Sequence, residues 1–315
     1  MKILLYRGEE FDSNFYYHSG VDIDHCFLLI EGKKKVLFTS SMNEAIARDK
    51  FKGEIVVFRD PLSDLEKHIG KKQTVYCDLS STSASLYQRL SKLFSIKNYS
   101  VELAKMRSKK TSEEVSKVSK AVKITKEILD SIDFSSLKTE KDLHKWLLIQ
   151  TLEQDLEQAF TPIVSSGSNT RFPHYHSSDV KLGGLVLVDY GVRFDHYCAD
   201  LTRCFILDND KKKLSEYEKL QGVCNSIIDE LSNLSLGKDV AKFSDETIAK
   251  AGFPKLIHSI GHGVGLDVHE VPSLGLKSTD PISGAILAIE PAFYHKYGMR
   301  YEETIYFDGK KARIL

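Results

Sequence analysis

Leu185-Val-Leu-Val-Asp-Tyr-Gly-Val-Arg-Phe-Asp-His-Tyr-Cys-Ala-Asp-Leu-Thr-Arg203 is the stretch on which the reading of this chain turns. Four apolar residues run straight into Asp189, and Asp200 sits inside Cys198-Ala-Asp-Leu-Thr-Arg203. Leu185–Val188 and Cys204–Leu207 read as strands with a turn between them. The pattern returns near the other end: Glu290 follows Ile286-Leu-Ala-Ile289, and Glu302 follows Met299-Arg-Tyr301. A carboxylate in a core strand is costly unless it is paired or binds a metal. A single one could be a structural ion pair; the four together point to a shared cation site. Asp189 and Asp200 are 11 residues apart, so antiparallel pairing is expected to place them opposite each other on one face. Carboxylates that close repel unless a counter-charge is present. Two divalent cations would balance the four carboxylates.

The histidines gather in His258-Ser-Ile-Gly-His-Gly-Val-Gly-Leu-Asp-Val-His-Glu270, where Gly261, Gly263 and Gly265 allow the backbone to approach a ligand. No Gly-Lys-Ser/Thr follows, so the glycines do not read as a phosphate loop. His174 lies in Phe172-Pro-His-Tyr-His-Ser-Ser-Asp179, upstream of the first carboxylate strand; His176 and His196 read as loop residues.

Outward from these segments, the first hundred residues alternate short strands and helices. Cys26–Ile30 and Lys35–Phe38 flank a Glu31-Gly-Lys-Lys34 turn, and Ile55–Phe58 and Thr74–Cys77 are further strands. Helices are expected near 42–51, 62–69 and 82–94. Thr111-Ser-Glu-Glu114 is a capping box ahead of the stripe Val115, Val118, Val122, Thr125 and Leu129. The boundary is therefore placed at residue 105, giving domains 1–105 and 106–315. A second helix is expected over Glu140–Glu157, with Leu143, Trp146 and Leu147 in the core, and others near 213–232 and 239–251. Ala285–Ile289 and Tyr301–Phe307 read as strands, the last stopped by Asp308-Gly309.

Bulk composition narrows the class. Lys+Arg and Asp+Glu are equal at 44 each, without the basic excess of a nucleic-acid binder. No apolar run is long enough to span a membrane, and Arg7, Glu9 and Glu10 interrupt the opening segment before a signal-like core forms. Five scattered cysteines without CxxC spacing imply a reducing, cytoplasmic setting.

Val188-Asp-Tyr-Gly191, Ala199-Asp-Leu-Thr-Arg203, Gly261-His-Gly263, His269-Glu-Val-Pro272, Ile289-Glu-Pro291 and Arg300-Tyr-Glu302 resemble, in order, the motifs of the pita-bread metallopeptidases. That family includes prolidase, aminopeptidase P, methionine aminopeptidase and creatinase. Phe15-Tyr-Tyr-His-Ser-Gly20 resembles the entry to the creatinase-type N-terminal domain. The resemblance implies an α+β chain: a small α/β creatinase-like domain followed by a pita-bread catalytic domain. It implies Asp189, Asp200, His262, Glu290 and Glu302 as ligands of two metal ions, with Asp200 and Glu302 bridging. It implies His174 and His269 as catalytic, Glu290 as proton acceptor, and His174, His258, His269 and Arg300 as substrate-binding. Arg300 also has a plainer reading, an ion pair with a neighbouring carboxylate. An oxygen-rich set with one imidazole suits Mn²⁺ or Co²⁺, with Zn²⁺ or Fe²⁺ also compatible.

The expected reaction is hydrolysis of the bond before proline by a hydroxide between the two metals. The substrates are Xaa-Pro dipeptides or short peptides, and the protein is a homodimer. Tyr175 stands where the family has glycine, Ala199 where serine is frequent, and Glu303 where aspartate is frequent. Ser273 replaces an arginine that in many prolidases holds the dipeptide carboxylate, with Lys277 a substitute, so longer peptides are expected substrates. Two other readings compete. One is a non-catalytic pita-bread binding module, which typically loses metal ligands; the other is a creatinase-like hydrolase.

Overall fold

The computed structural model describes residues 1–315, and its backbone divides into two compact units, Met1–Arg107 and Ser108–Leu315.

The first unit is built on a six-stranded mixed sheet. Its strand order is Glu54–Val57, Lys34–Thr39, Cys26–Glu31, Lys2–Arg7, Thr74–Cys77, Ser95–Asn98. Strand alternation divides the side chains. Ile3, Leu5, Leu28 and Ile30 join Phe15, Phe51 and Leu103 on one face. Leu4, Phe27, Leu29 and Phe38 meet Leu65, Leu86 and Leu90 on the other. Helices Ser13–Ser19, Glu44–Lys50, Pro61–Ile69, Ala84–Leu93 and Ser100–Ser108 connect and cover it. The opening segment, read above only for its lack of a signal, is a central strand paired to Cys26–Glu31 and to Thr74–Cys77.

The second unit opens on the helix Ser112–Asp130, capped by the reciprocal Thr111–Glu114 box, with Val115, Val118, Val122, Thr125 and Leu129 buried. The next helix, Glu140–Glu153, stops short of the expected Glu157. Asp155 takes a left-handed φ of 55°, which breaks the helix, and Glu157–Gln158 becomes a short strand. Leu143 and Leu147 on this helix are fully buried, whereas Trp146 is only half-buried, a correction to its core assignment.

Two antiparallel sheets carry the site. One holds Ile163–Ser166, Leu185–Tyr190 and Leu201–Ile206. The other runs Glu270–Ser273, Gly261–Gly263, Ala285–Ile289, Glu303–Phe307, Ala312–Ile314. Helices Lys211–Glu230 and Gly237–Lys250 bury Val223, Ile227, Val240 and Ile248 against Leu287, Ile289 and Ile305 of this second sheet.

Candidate metal centre

Register assembles the centre. In the Leu185–Tyr190 and Leu201–Ile206 pair, the residue opposite Asp189 is Thr202, not Asp200. The connection is not a simple turn: Val192–Phe194 and Tyr197–Cys198 form a hairpin of their own between the two strands. Asp200, two residues before Thr202, therefore falls on the same face as a diagonal neighbour of Asp189. Gly191 permits the tight return. A Cβ there would stand 1.9 Å from the Ala199 carbonyl oxygen.

In the second sheet His262 is ladder partner to Ala288 and to Ser273. Glu290 follows the Ala285–Ile289 strand directly. The final long strand starts at Glu303 rather than Tyr301, so Glu302 lies just outside the ladder. It is tied across to the other sheet: its amide donates to the Thr202 carbonyl at 3.2 Å, and the Thr304 hydroxyl donates to the Asp200 carbonyl at 2.6 Å.

The donor atoms of Asp189, Asp200 and Glu302 lie within 4.8 Å of one another, as do those of His262, Glu290 and Glu302, and of Asp200, His262 and His269. His262 Nε2 is 3.5 Å from Asp200 Oδ2 and 3.9 Å from Glu290 Oε1. These residues line a cleft of about 750 Å³ together with His174, His258, Arg300, Phe160, Ile163 and Pro173. Asp189, Asp200 and Glu302 are buried and His258 is half-buried, while His174 and His269 stand exposed at its mouth. His176 and Lys277 are exposed and do not line it.

The carboxylates and imidazoles strongly perturb one another's ionisation. Burial, then Glu302, Asp189 and Glu290, push the Asp200 carboxyl well above the usual range. Burial and Glu302 do the same to Glu290. Burial and Asp189 lift Glu302 to about 7. Burial, then His269, lowers His262 to about 3, and burial lowers His258 to about 4 and depresses His269. Neutral imidazoles beside crowded carboxylates make a donor set that could hold divalent cations.

The residues fit such ions. His262 Nδ1 is 3.1 Å from the Gly263 carbonyl, so the tautomer that donates there turns the Nε2 lone pair to the carboxylates. Asp189 Oδ1 is buried with no hydrogen-bond partner. A buried acceptor left in that state is costly, and a cation held there would satisfy it.

Arg300 is the one lysine or arginine among the cleft residues, and each of its three nitrogens has a protein partner. It pairs with Asp189 through Nη2, donates through Nε to Thr202 Oγ1 at 2.8 Å and through Nη1 to Tyr294 Oη at 3.3 Å. Thr202 in turn donates to Glu302 Oε2 at 2.7 Å. Tyr294 also meets His258 Nε2 at 3.0 Å. Sequence reasoning missed Tyr294 as a part of the site. The signal was thin: a tyrosine four residues after Glu290, in a hairpin that pairs Ala292–Tyr294 with Gly298–Arg300.

Behind His269, Glu270 forms an ion pair with Lys110 at 2.6 Å, both side chains almost wholly buried. Gly265 leaves room for it, since a Cβ there would be 2.3 Å from Glu270 Oε1. Tyr175 is accommodated by its hydroxyl, which bonds Asn169 at 2.8 Å and Ser178 at 2.9 Å.

A two-unit chain with clustered carboxylates and histidine between two sheets defines a metallopeptidase class, and sequence comparison places it. The chain belongs to metallopeptidase family M24, whose model matches residues 116–308, and its residues 7–109 match the creatinase/prolidase N-terminal domain. It is 26% identical over 318 residues to the Xaa-Pro dipeptidase of Pyrococcus furiosus, covering 96% of this chain and 90% of that one. The crystal structure of X-Pro aminopeptidase from Thermotoga maritima superposes with a TM-score of 0.88 at 24% identity, covering 99% and 94%. The N-terminal domain of FACT complex subunit SPT16 from chickpea shares the fold, with a TM-score of 0.83 at 16% identity over 99% and 89%. The pita-bread fold and the metallopeptidase class expected from the motifs both stand.

Proposed function

We propose that this protein hydrolyses the peptide bond preceding proline at the N-terminus of short peptides. Two divalent cations would be held by Asp189, Asp200, His262, Glu290 and Glu302. The observation that carries this reading is the convergence of those donors, with the buried acceptor Asp189 Oδ1 unsatisfied and His262 Nε2 aimed into the carboxylates. The Pyrococcus relative's name supports the proline preference.

When bound, the cations acidify a water and supply positive charge against the developing oxyanion. Oxygen-rich ligation favours Mn²⁺ or Co²⁺. Glu290 takes the proton given up when water adds to the scissile carbonyl carbon, and returns it to the prolyl nitrogen as the C–N bond breaks. His174 and His269, at the mouth, orient the carbonyl and hydrogen-bond its oxygen. His258, held by Tyr294, faces the substrate beside Glu290. Phe160, Ile163 and Pro173 offer the proline ring an apolar wall. Arg300 acts by holding Asp189 and Thr202 in place, the plainer of its two readings, because each of its three nitrogens already has a protein partner. Peptides longer than two residues are favoured, since no lining cation is left for a dipeptide's carboxylate.

The same reading extends to a cytoplasmic homodimer, consistent with five buried, unbridged cysteines and checked by sedimentation. No helix is long and apolar enough to cross a membrane.

Metal-stripped protein is assayed on Ala-Pro and Ala-Pro-Ala with Mn²⁺, Co²⁺ or Zn²⁺ restored. Metal-dependent cleavage of the tripeptide supports the reading. Cleavage of the dipeptide alone makes the protein a strict dipeptidase. Silence on both, with folded and metal-loaded protein, turns the assignment to a non-catalytic binding module.

A further inference from the structure

We propose that Asp280 is a specificity residue, selecting peptides with a cationic residue directly after the proline and disfavouring free dipeptides. The inference rests on the peptidase reading above.

Six carboxylates line the cleft: Asp189, Asp200, Glu270, Asp280, Glu290 and Glu302. Four belong to the metal centre, where the cations would offset them. Glu270 is neutralised by buried Lys110. Asp280 is the remaining one, and it meets no lysine or arginine side chain. Its Oδ2 accepts from the Ser273 amide at 3.1 Å and the Ser278 hydroxyl at 3.2 Å, and its carbonyl accepts from the Gly237 amide at 2.9 Å. These bonds hold the carboxylate in place and leave its charge uncompensated.

Its position relative to the reacting centre follows from the ladder. Ser273 is the cross-strand partner of His262, and ladder partners stand roughly 5 Å apart. Asp280 touches Ser273, one step beyond that. A peptide advances about 3.5 Å per residue. With the scissile carbonyl at the centre, the substrate's α-amine stays among the metal ligands, two bonds from that carbonyl carbon. The residue after proline reaches the Ser273–Asp280 edge. A dipeptide would bring its terminal carboxylate toward this anion, whereas a lysine or arginine side chain would meet it with opposite charge. Lys277 lies in the same loop but is exposed and does not line the cleft.

The metal-loaded protein is assayed at low ionic strength on Ala-Pro, Ala-Pro-Ala, Ala-Pro-Arg and Ala-Pro-Glu. The expected order of kcat/KM is Arg, then Ala, then Glu and the dipeptide, with Arg over Glu by about 3- to 10-fold, as for a partly exposed charge pair. Raising NaCl to about 0.5 M compresses that ratio toward one, because screening acts on exposed charges. Asp280→Asn, which keeps an acceptor for the loop, lowers the ratio below about 2; Asp280→Ser repeats the test if the amide distorts the loop. Equal rates across the tripeptides, or a ratio unmoved in both variants, overturn the inference while leaving the peptidase reading intact. Preference for the dipeptide, lost in Lys277→Ala, overturns it in favour of a lysine clamp. No cleavage of any peptide defeats the peptidase reading itself, and the inference with it.

Discussion

The two units of this chain solve different physical problems. In Met1–Arg107 the sheet is lined on both faces by aliphatic and aromatic side chains, and the ion pairs are mainly at the surface, such as Lys34–Glu54 and Arg48–Glu44. In Ser108–Leu315 the strands that cross the core carry Asp189, Arg300 and Glu303, with Glu302 at a strand end, all buried. The first unit draws stability from burial. The second carries a charge cluster that costs stability until every member has a partner. The site is thus the place where the local rule of apolar strands is broken, as expected at functional sites.

Removing a carboxylate from the charge cluster of the second unit carries the greatest expected cost. Asp200→Asn is expected to lower kcat/KM by ~10³-fold, a loss of the order seen when one preorganised electrostatic group is removed. Metal content per chain, read by elemental analysis, should fall with it; a fully active variant with unchanged metal would remove Asp200 from the centre.

Next in size is the ion pair behind His269. Lys110→Met leaves the buried Glu270 carboxylate without its lysine, with an expected loss of ~3 kcal/mol in chemical denaturation. Lys110→Met combined with Glu270→Met should recover most of it, since a buried pair is often replaceable by apolar side chains. Failure of the double variant to recover would show that the pair contributes more than mutual neutralisation.

The units should also answer pH in opposite directions. His18 in the first unit is lowered to about 4 by burial, then by Lys35 and Arg107, and its Nε2 has no partner. Below pH ~6.5 the unfolded chain binds a proton that the fold refuses, so stability is lost as pH falls from there toward 4, by ~2 kcal/mol after allowance for solvent screening. His18→Gln should flatten that limb. In metal-free protein Glu302, lifted to about 7, reverses the sign. The fold keeps a proton that the unfolded chain has released, so stability is lost as pH rises from its ordinary value toward 7. Restoring metal should cancel this second slope. Hydrogen exchange followed by mass spectrometry separates the units, and parallel slopes in both would contradict the assignment.

The smallest effect belongs to the surface. Lys34→Ala breaks an exposed pair with Glu54, and its denaturation midpoint should be indistinguishable from that of the unaltered chain.

Much of the architecture was legible locally. The Thr111–Glu114 capping box and its stripe announced the helix Ser112–Asp130, and Leu185–Val188 announced a strand. The Lys2–Arg7 strand was missed because its apolar run is short and its partners lie at Cys26–Glu31 and Thr74–Cys77. The end of the second helix was misjudged because only the φ of Asp155 marks it.

By itself the sequence determined the kinds of donor, their order, and their unusual setting inside apolar runs, since burial cost makes such carboxylates conspicuous. Only the tertiary structure decided which of them meet. Thr202 rather than Asp200 stands opposite Asp189, because the inserted hairpin sets the register. Thr202 joins the local Arg300–Tyr294 pair only through a contact 98 residues away in sequence. Asp280 becomes the uncompensated charge of the cleft only once Lys110 is folded onto Glu270. Charge type is a property of each residue, while charge balance belongs to the residues that folding brings together.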